Sequence, residues 1–146
     1  MEAVVVDTNV FVAAGFNPAS ASAGILAGIR EGRFKLIWNA PTRRETEMIL
    51  RRIPRLDWPK VADLFRPEGE FTGRVDPGAF TVIPDPDDRK FAALSAAANA
   101  PLVTNDNHLL GPASTIGVEI LTPRAFLARM GNAAKCAVSP VHQPED

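Results

Sequence analysis

The sequence predicts an α/β protein, a three-layer α/β/α fold around a central parallel sheet of about five strands, and three observations carry that prediction. Short apolar runs alternate with segments whose apolar residues recur at helical spacing. Glycine and proline punctuate the joins between them. The first run, Ala3 to Val6, is apolar throughout, as befits a strand covered on both faces.

The elements follow in order. After strand Ala3 to Val6, Ser20-Ala-Ser leads into a helix with Ile25, Leu26 and Ile29 on one side and Gly32 as its stop. Phe34 to Trp38 is a second strand, and Pro41 to Arg52 a helix that Pro54 ends. A shorter helix carries Val61, Leu64 and Phe65 on one face, and Arg66 to Gly78 is a loop rich in proline and glycine. Phe80 to Ile83 is expected as a third strand and Asp87 to Asn99 as an alanine-rich helix. Leu102 to Thr104 and Gly117 to Leu121 supply the fourth and fifth strands, and Pro123 to Met130 the last helix. Residues 1–130 thus make one domain, and 131–146, which lack periodicity, are expected as a flexible C-terminal tail.

Composition narrows the function. A chain of 146 residues with 46% hydrophobic and 23% charged residues has globular proportions. A net charge of -1 excludes the overall basic field of a nucleic-acid coat, so any such contact must rest on local patches. Cys136 is the sole cysteine, which excludes a disulfide framework. Glu2 stands where a secretory leader carries positive charge, and no run is long enough to cross a bilayer, so a cytoplasmic location without membrane contact is expected.

Functional groups of an open parallel sheet gather at the carboxyl ends of its strands. Asp7 in "VVVDTNVFV" follows the first strand directly; Glu45, Asp88 and Asp106 fall in later strand-to-helix connections. Each acid alone has a local explanation. Asp85-Pro86-Asp87-Asp88 reads as a helix start, and Asn105 or Asp106 as the cap of a turn holding Leu109 and Leu110. Within the Pro41 helix, Glu45 shares a face with Met48 and Ile49, whereas Glu47 shares one with Arg43, Arg44 and Arg51 and reads as solvated surface.

Together the four acids argue for a cation between them, because gathered carboxylates raise one another's pKa unless something positive intervenes. A hard divalent ion such as Mg²⁺ suits oxygen donors and activates water against a phosphodiester. The chain has no glycine-rich phosphate loop, no cysteine pair, and two histidines, one in the tail. For nucleic acid the cations in view are Arg43, Arg44, Arg51, Arg52 and Arg55, with Arg52 nearest the Glu45 face, and Arg89 and Lys90 beside Asp88. Trp38 and Trp58 read as packing residues.

The ordered set "VVDTNVFV", Glu45 in "TRRETEMILRR", "DPDDRKFAALSAA" and "LVTNDNHLL" resembles the PIN domain, in particular the bacterial VapC-like toxin components of toxin-antitoxin systems. The resemblance implies an endoribonuclease that uses Mg²⁺ or Mn²⁺ to cut single-stranded RNA. Asp7, Glu45, Asp88 and Asp106 match its catalytic, metal-binding acids; Asn9 and Thr104 match residues that support them through hydrogen bonds. Arg52, Arg44 and Arg89 are the RNA-binding candidates, and a cognate antitoxin and a homodimer are the partners such a likeness implies. One position departs: relatives often carry a further acid where this chain has His108, which leaves the number of metals open. The alternative is a non-catalytic PIN-fold module that binds RNA or protein. A receiver domain or haloacid-dehalogenase-like phosphatase wants a second acid near Asp7, and a nuclease of structured DNA wants helical insertions; the chain has neither.

Overall fold

A computed structural model describes residues 2–106, 109 and 117–138. Parallel strands β1 (Glu2–Val6), β2 (Phe34–Leu36), β3 (Leu102–Val103) and β4 (Ile120–Leu121) form a four-stranded sheet of order β2-β1-β3-β4. In register, Val4 faces Leu36 across one ladder and Val6 faces Val103 across the other, so β1 is flanked on both sides. The period of two then splits β1 between two cores. Val4 and Val6 pack with Val10, Phe11, Ile25 and Phe126, while Val5 packs with Phe91, Leu94, Leu102 and Ile120. A strand buried on both faces has no place for polar residues, hence the uninterrupted valines.

The helices are α1 (Thr8–Phe16), α2 (Ala21–Arg30), α3 (Ala40–Arg52), α4 (Pro59–Ala62), α5 (Pro86–Ala98) and α6 (Pro123–Val138). Residues of α1, α2, α3 and α6 pack in the Val4 core, and α5 covers the opposite face. Local chemistry fixes the helix starts. Ser20 Oγ accepts the Ala23 N–H at 3.1 Å, and Asn39 and Thr42 bond reciprocally in a capping box, with Pro41 in the first turn of α3. Asp85 Oδ1 accepts the Asp87 N–H at 3.0 Å and Pro86 opens α5, whose far end turns through Asn99 at φ 53°.

Several sequence expectations need correction. Phe80 to Ile83 is no strand, because the short 3₁₀ turn Pro77–Phe80 leads there into further turns. Phe80 and Ile83 are buried while Val82 is 48% exposed, a spacing of three that suits a turn where a strand would bury alternate residues. The described sheet accordingly has four strands where about five were expected. Helix α1, which begins at once after Asp7, was not anticipated, and α6 runs on to Val138 through the first part of the expected tail. The loop after Arg66 touches the sheet edge, where Phe71 N donates to Trp38 O at 2.8 Å. Among the described residues no single helix is long and apolar enough to cross a membrane.

Candidate active site

Asp7 sits where β1 becomes α1, at the carboxyl edge of the sheet, and its side chain is buried among polar groups. Thr104, just past β3, donates its hydroxyl to Asp7 Oδ2 at 2.8 Å. The adjacent strands β1 and β3 bring the two together although 97 residues separate them. Asn9, in the first turn of α1, donates Nδ2 to the same Asp7 oxygen at 3.2 Å and lies at the same distance from Thr104 Oγ1. The Asp106 N–H in turn donates to Thr104 Oγ1 at 2.9 Å. Thr104 therefore uses its one donor on Asp7 and its lone pairs on Asn9 and Asp106, which locks the hydroxyl in place.

Glu45 faces inward from α3, its side chain 17% exposed, and pairs with Lys90 Nζ at 3.3 Å. Lys90 also reaches Asp87 Oδ1 at 3.6 Å. Its neighbour Glu47 is held by Arg43 and Arg51 in i,i+4 pairs, as the helical geometry requires. Behind Glu45, Thr46 Oγ1 meets Thr8 Oγ1 at 2.8 Å in a buried contact that clamps α3 against the start of α1.

Asp88, half-buried in the first turn of α5, completes the group with Asp106. Burial pushes Asp7 up from 3.8 to about 6, offset in part by the Thr104 hydrogen bond and raised further by the charges of Asp106 and Glu45. Burial likewise pushes Asp88 up to about 7, with the charges of Asp7, Asp85 and Asp106 and a side-chain hydrogen bond to Asp106 adding to it. Asp7 thus lies within electrostatic reach of Glu45, Asp88 and Asp106, and Asp88 within reach of Asp7 and Asp106. Among the described residues, no three carboxylate, imidazole or thiol groups close on a common point as a complete metal shell would. Mg²⁺ keeps several waters and takes only one or two carboxylates directly, so the hard oxygen donors of Asp7 and Asp88 fit such an ion. Neither has an ion-pair partner among the described residues, and a cation would relieve both. His108 lies outside the described residues.

The expected RNA contacts separate. Arg52 is exposed at the end of α3, about two turns beyond Glu45 on the same face. Arg44 is exposed and lines a groove with Trp38, Arg43, Glu47 and Glu70. Arg89 turns inward instead and donates Nε to the Ile83 carbonyl at 2.8 Å, with Nη2 at 3.4 Å from the Thr81 and Pro84 carbonyls. Arg43 stacks over Trp58 and Arg55 over Phe16, which leaves those two in packing roles. Trp58 is buried, and Trp38 is half-buried with Nε1 donating to the Arg66 carbonyl.

On sequence Lys90 reads as a phosphate contact and Asn105 as a turn cap, and the structure gives each a further partner. The Asn105 N–H donates to Asn9 Oδ1 at 3.0 Å and its Nδ2 to Ser22 Oγ at 3.1 Å, which ties the Asp106 loop to α1 and α2. The run Thr104-Asn105-Asp106, polar directly after a buried strand, was the available signal.

Fold and site together define a class: an α/β/α protein with acidic side chains grouped at the carboxyl edge of a parallel sheet. The PIN domain family matches residues 3–108, and the chain belongs to it. This is a nuclease-type fold, whose members generally act on nucleic acids and typically use divalent metals. No curated protein matches the chain.

Proposed function

We propose that the protein is a metal-dependent endoribonuclease that hydrolyses phosphodiester bonds of single-stranded RNA with Mg²⁺ or Mn²⁺. The observation that carries this is Asp7, a buried carboxylate raised to about 6, fixed by Thr104 and Asn9 beside three further acids in a PIN-family chain. Asp7, Asp88 and Asp106 would hold the metal, with Glu45 as a fourth acid at the site. A bound divalent ion supplies charge neutralisation at the phosphate and a water of lowered pKa.

The chain's own residues do the rest. Thr104 and Asn9 hold the Asp7 carboxylate in one rotamer, so its oxygens need no reorganisation when substrate arrives. Lys90 restrains Glu45 and balances its charge. Asp88, half-buried in the first turn of α5 beside Asp7 and Asp106, would share the ion with them as an oxygen donor. Attack of water oxygen on phosphorus breaks the bond to the 3′ oxygen; the water gives up a proton to solvent, the leaving 3′ oxygen takes one from solvent, and 5′-phosphate and 3′-hydroxyl ends result. Arg52 and Arg44 are the proposed RNA contacts on α3; Arg89, a candidate on sequence grounds, spends its donors on carbonyls.

Likeness to the bacterial VapC-like toxin components supports a cytoplasmic toxin role, with an antitoxin that blocks the acidic site and a homodimeric state. The second reading, a non-catalytic RNA-binding or protein-interaction module, draws on the lack of a closed ligand shell among the described residues. Cleavage of labelled single-stranded RNA with Mn²⁺ and with EDTA, run for wild type and Asp7→Asn, decides between them. The nuclease reading expects metal-dependent cutting that Asp7→Asn loses; no cutting by folded, metal-loaded wild type contradicts it.

A further inference from the structure

Beside Asn9 and Asn105 the surface opens into a groove of about 720 Å³ at the starts of α2 and α6. Its polar lining is Asn9, Ser20, Ser22, Asn105, Thr122 and Arg124. The groove is joined to the acidic site by continuous hydrogen bonds, since Asn9 bonds Asp7, Asn105 bonds Asn9, and Ser22 accepts from Asn105. Chain leaving the acids in this direction meets no carboxylate among the described lining residues.

Other directions present carboxylates to a polyanion, the one that carries Arg44 included. Asp85 and Asp87 stand exposed at the start of α5. The groove beside the start of α3 has arginines, but Glu47 and Glu70 line it too. Among the described residues lining the Asn105 groove the one charged side chain is Arg124, which is exposed and makes no hydrogen bond or ion pair with another described residue. Asn9, Asn105, Ser20 and Ser22 are already engaged within the protein, whereas the guanidinium donors of Arg124 make no bond to another described residue. A floor that includes Val12 and Ala13 offers uncharged surface for the sugars.

We propose that this groove is the track for the RNA backbone flanking the bond to be cut, with Arg124 as its phosphate contact. The inference rests on the nuclease reading and adds where the strand runs. Phosphate repelled by the acids lies along the neutral wall and is anchored at its far side by a guanidinium whose planar fork suits a bidentate pair.

The test is binding of a labelled single-stranded RNA oligonucleotide in EDTA across a salt series, for wild type, Arg124→Ala, Arg124→Glu and Arg33→Glu. Arg33 makes the same charge change just before β2, at the amino edge of the sheet. Arg124→Ala should weaken binding several-fold and lower the salt slope by about one, and Arg124→Glu should weaken it about tenfold or more. Arg33→Glu should cost much less. Equal losses in both Glu variants, or none in Arg124→Glu, overturn the track. Failure of the underlying reading looks different: wild type itself then neither binds RNA nor cuts it with Mn²⁺.

Discussion

Asp7 is a carboxylate placed where water cannot fully solvate it, and that placement has a measurable consequence. Asp7 titrates near 6 and Asp88 near 7 in the folded protein, against 3.8 for either unperturbed. Between those values the folded chain binds more protons than the unfolded chain, so these groups make stability fall as pH rises. Their contribution is intact below about 4 and is lost as pH climbs through about 6 and 7. In EDTA, the wild-type melting temperature should therefore drop from pH 5 to pH 8 by more than that of Asp7→Asn. The variant should melt above wild type at pH 8, because an amide keeps an acceptor for Thr104 and carries no buried charge. Thermal melts at fixed ionic strength check this; a wild type at least as stable as the variant at pH 8 would show that burial of Asp7 is not a cost.

At the scale of elements, the start of α5 is held by more than its cap. Arg89 reaches back to the carbonyls of Ile83, Thr81 and Pro84, which fold into turns and have no strand partner. Arg89→Ala should cost about 0.5 to 1.5 kcal/mol in a denaturant titration, the usual net worth of a hydrogen bond such as that to the partly buried Ile83 carbonyl. A variant as stable as wild type would return Arg89 to the cations available to RNA. This segment also marks where sequence legibility ended. Helices α2, α3 and α5 were readable from Ser20, Pro41 and Pro86, because caps and prolines act locally. The Phe80 to Ile83 strand was misread because short apolar runs look alike until tertiary packing decides which residues are buried. Glu45 was separated from Glu47 by helical spacing alone, and their ion pairs follow that division. The partnership of Lys90 with Glu45 spans 45 residues and was not readable, since no local rule brings α3 and α5 together.

For the whole molecule, the topology explains why so distant residues meet. A parallel sheet sends every strand's carboxyl end to one edge, so the residues after β1 and β3 become neighbours and helices α3 and α5 deliver their acids nearby. The acids are the feature this arrangement keeps at a cost in stability, and a bound cation is what would repay it. The most direct measurement is therefore the melting temperature at pH 8 as Mn²⁺ is added to EDTA-stripped wild type and Asp7→Asn. Ligand binding to the folded state alone stabilises by about 2.7 kcal/mol at a hundredfold excess over Kd. The account predicts a saturable rise of several degrees in wild type that Asp7→Asn largely loses; no rise in wild type, or an equal rise in both, would contradict it.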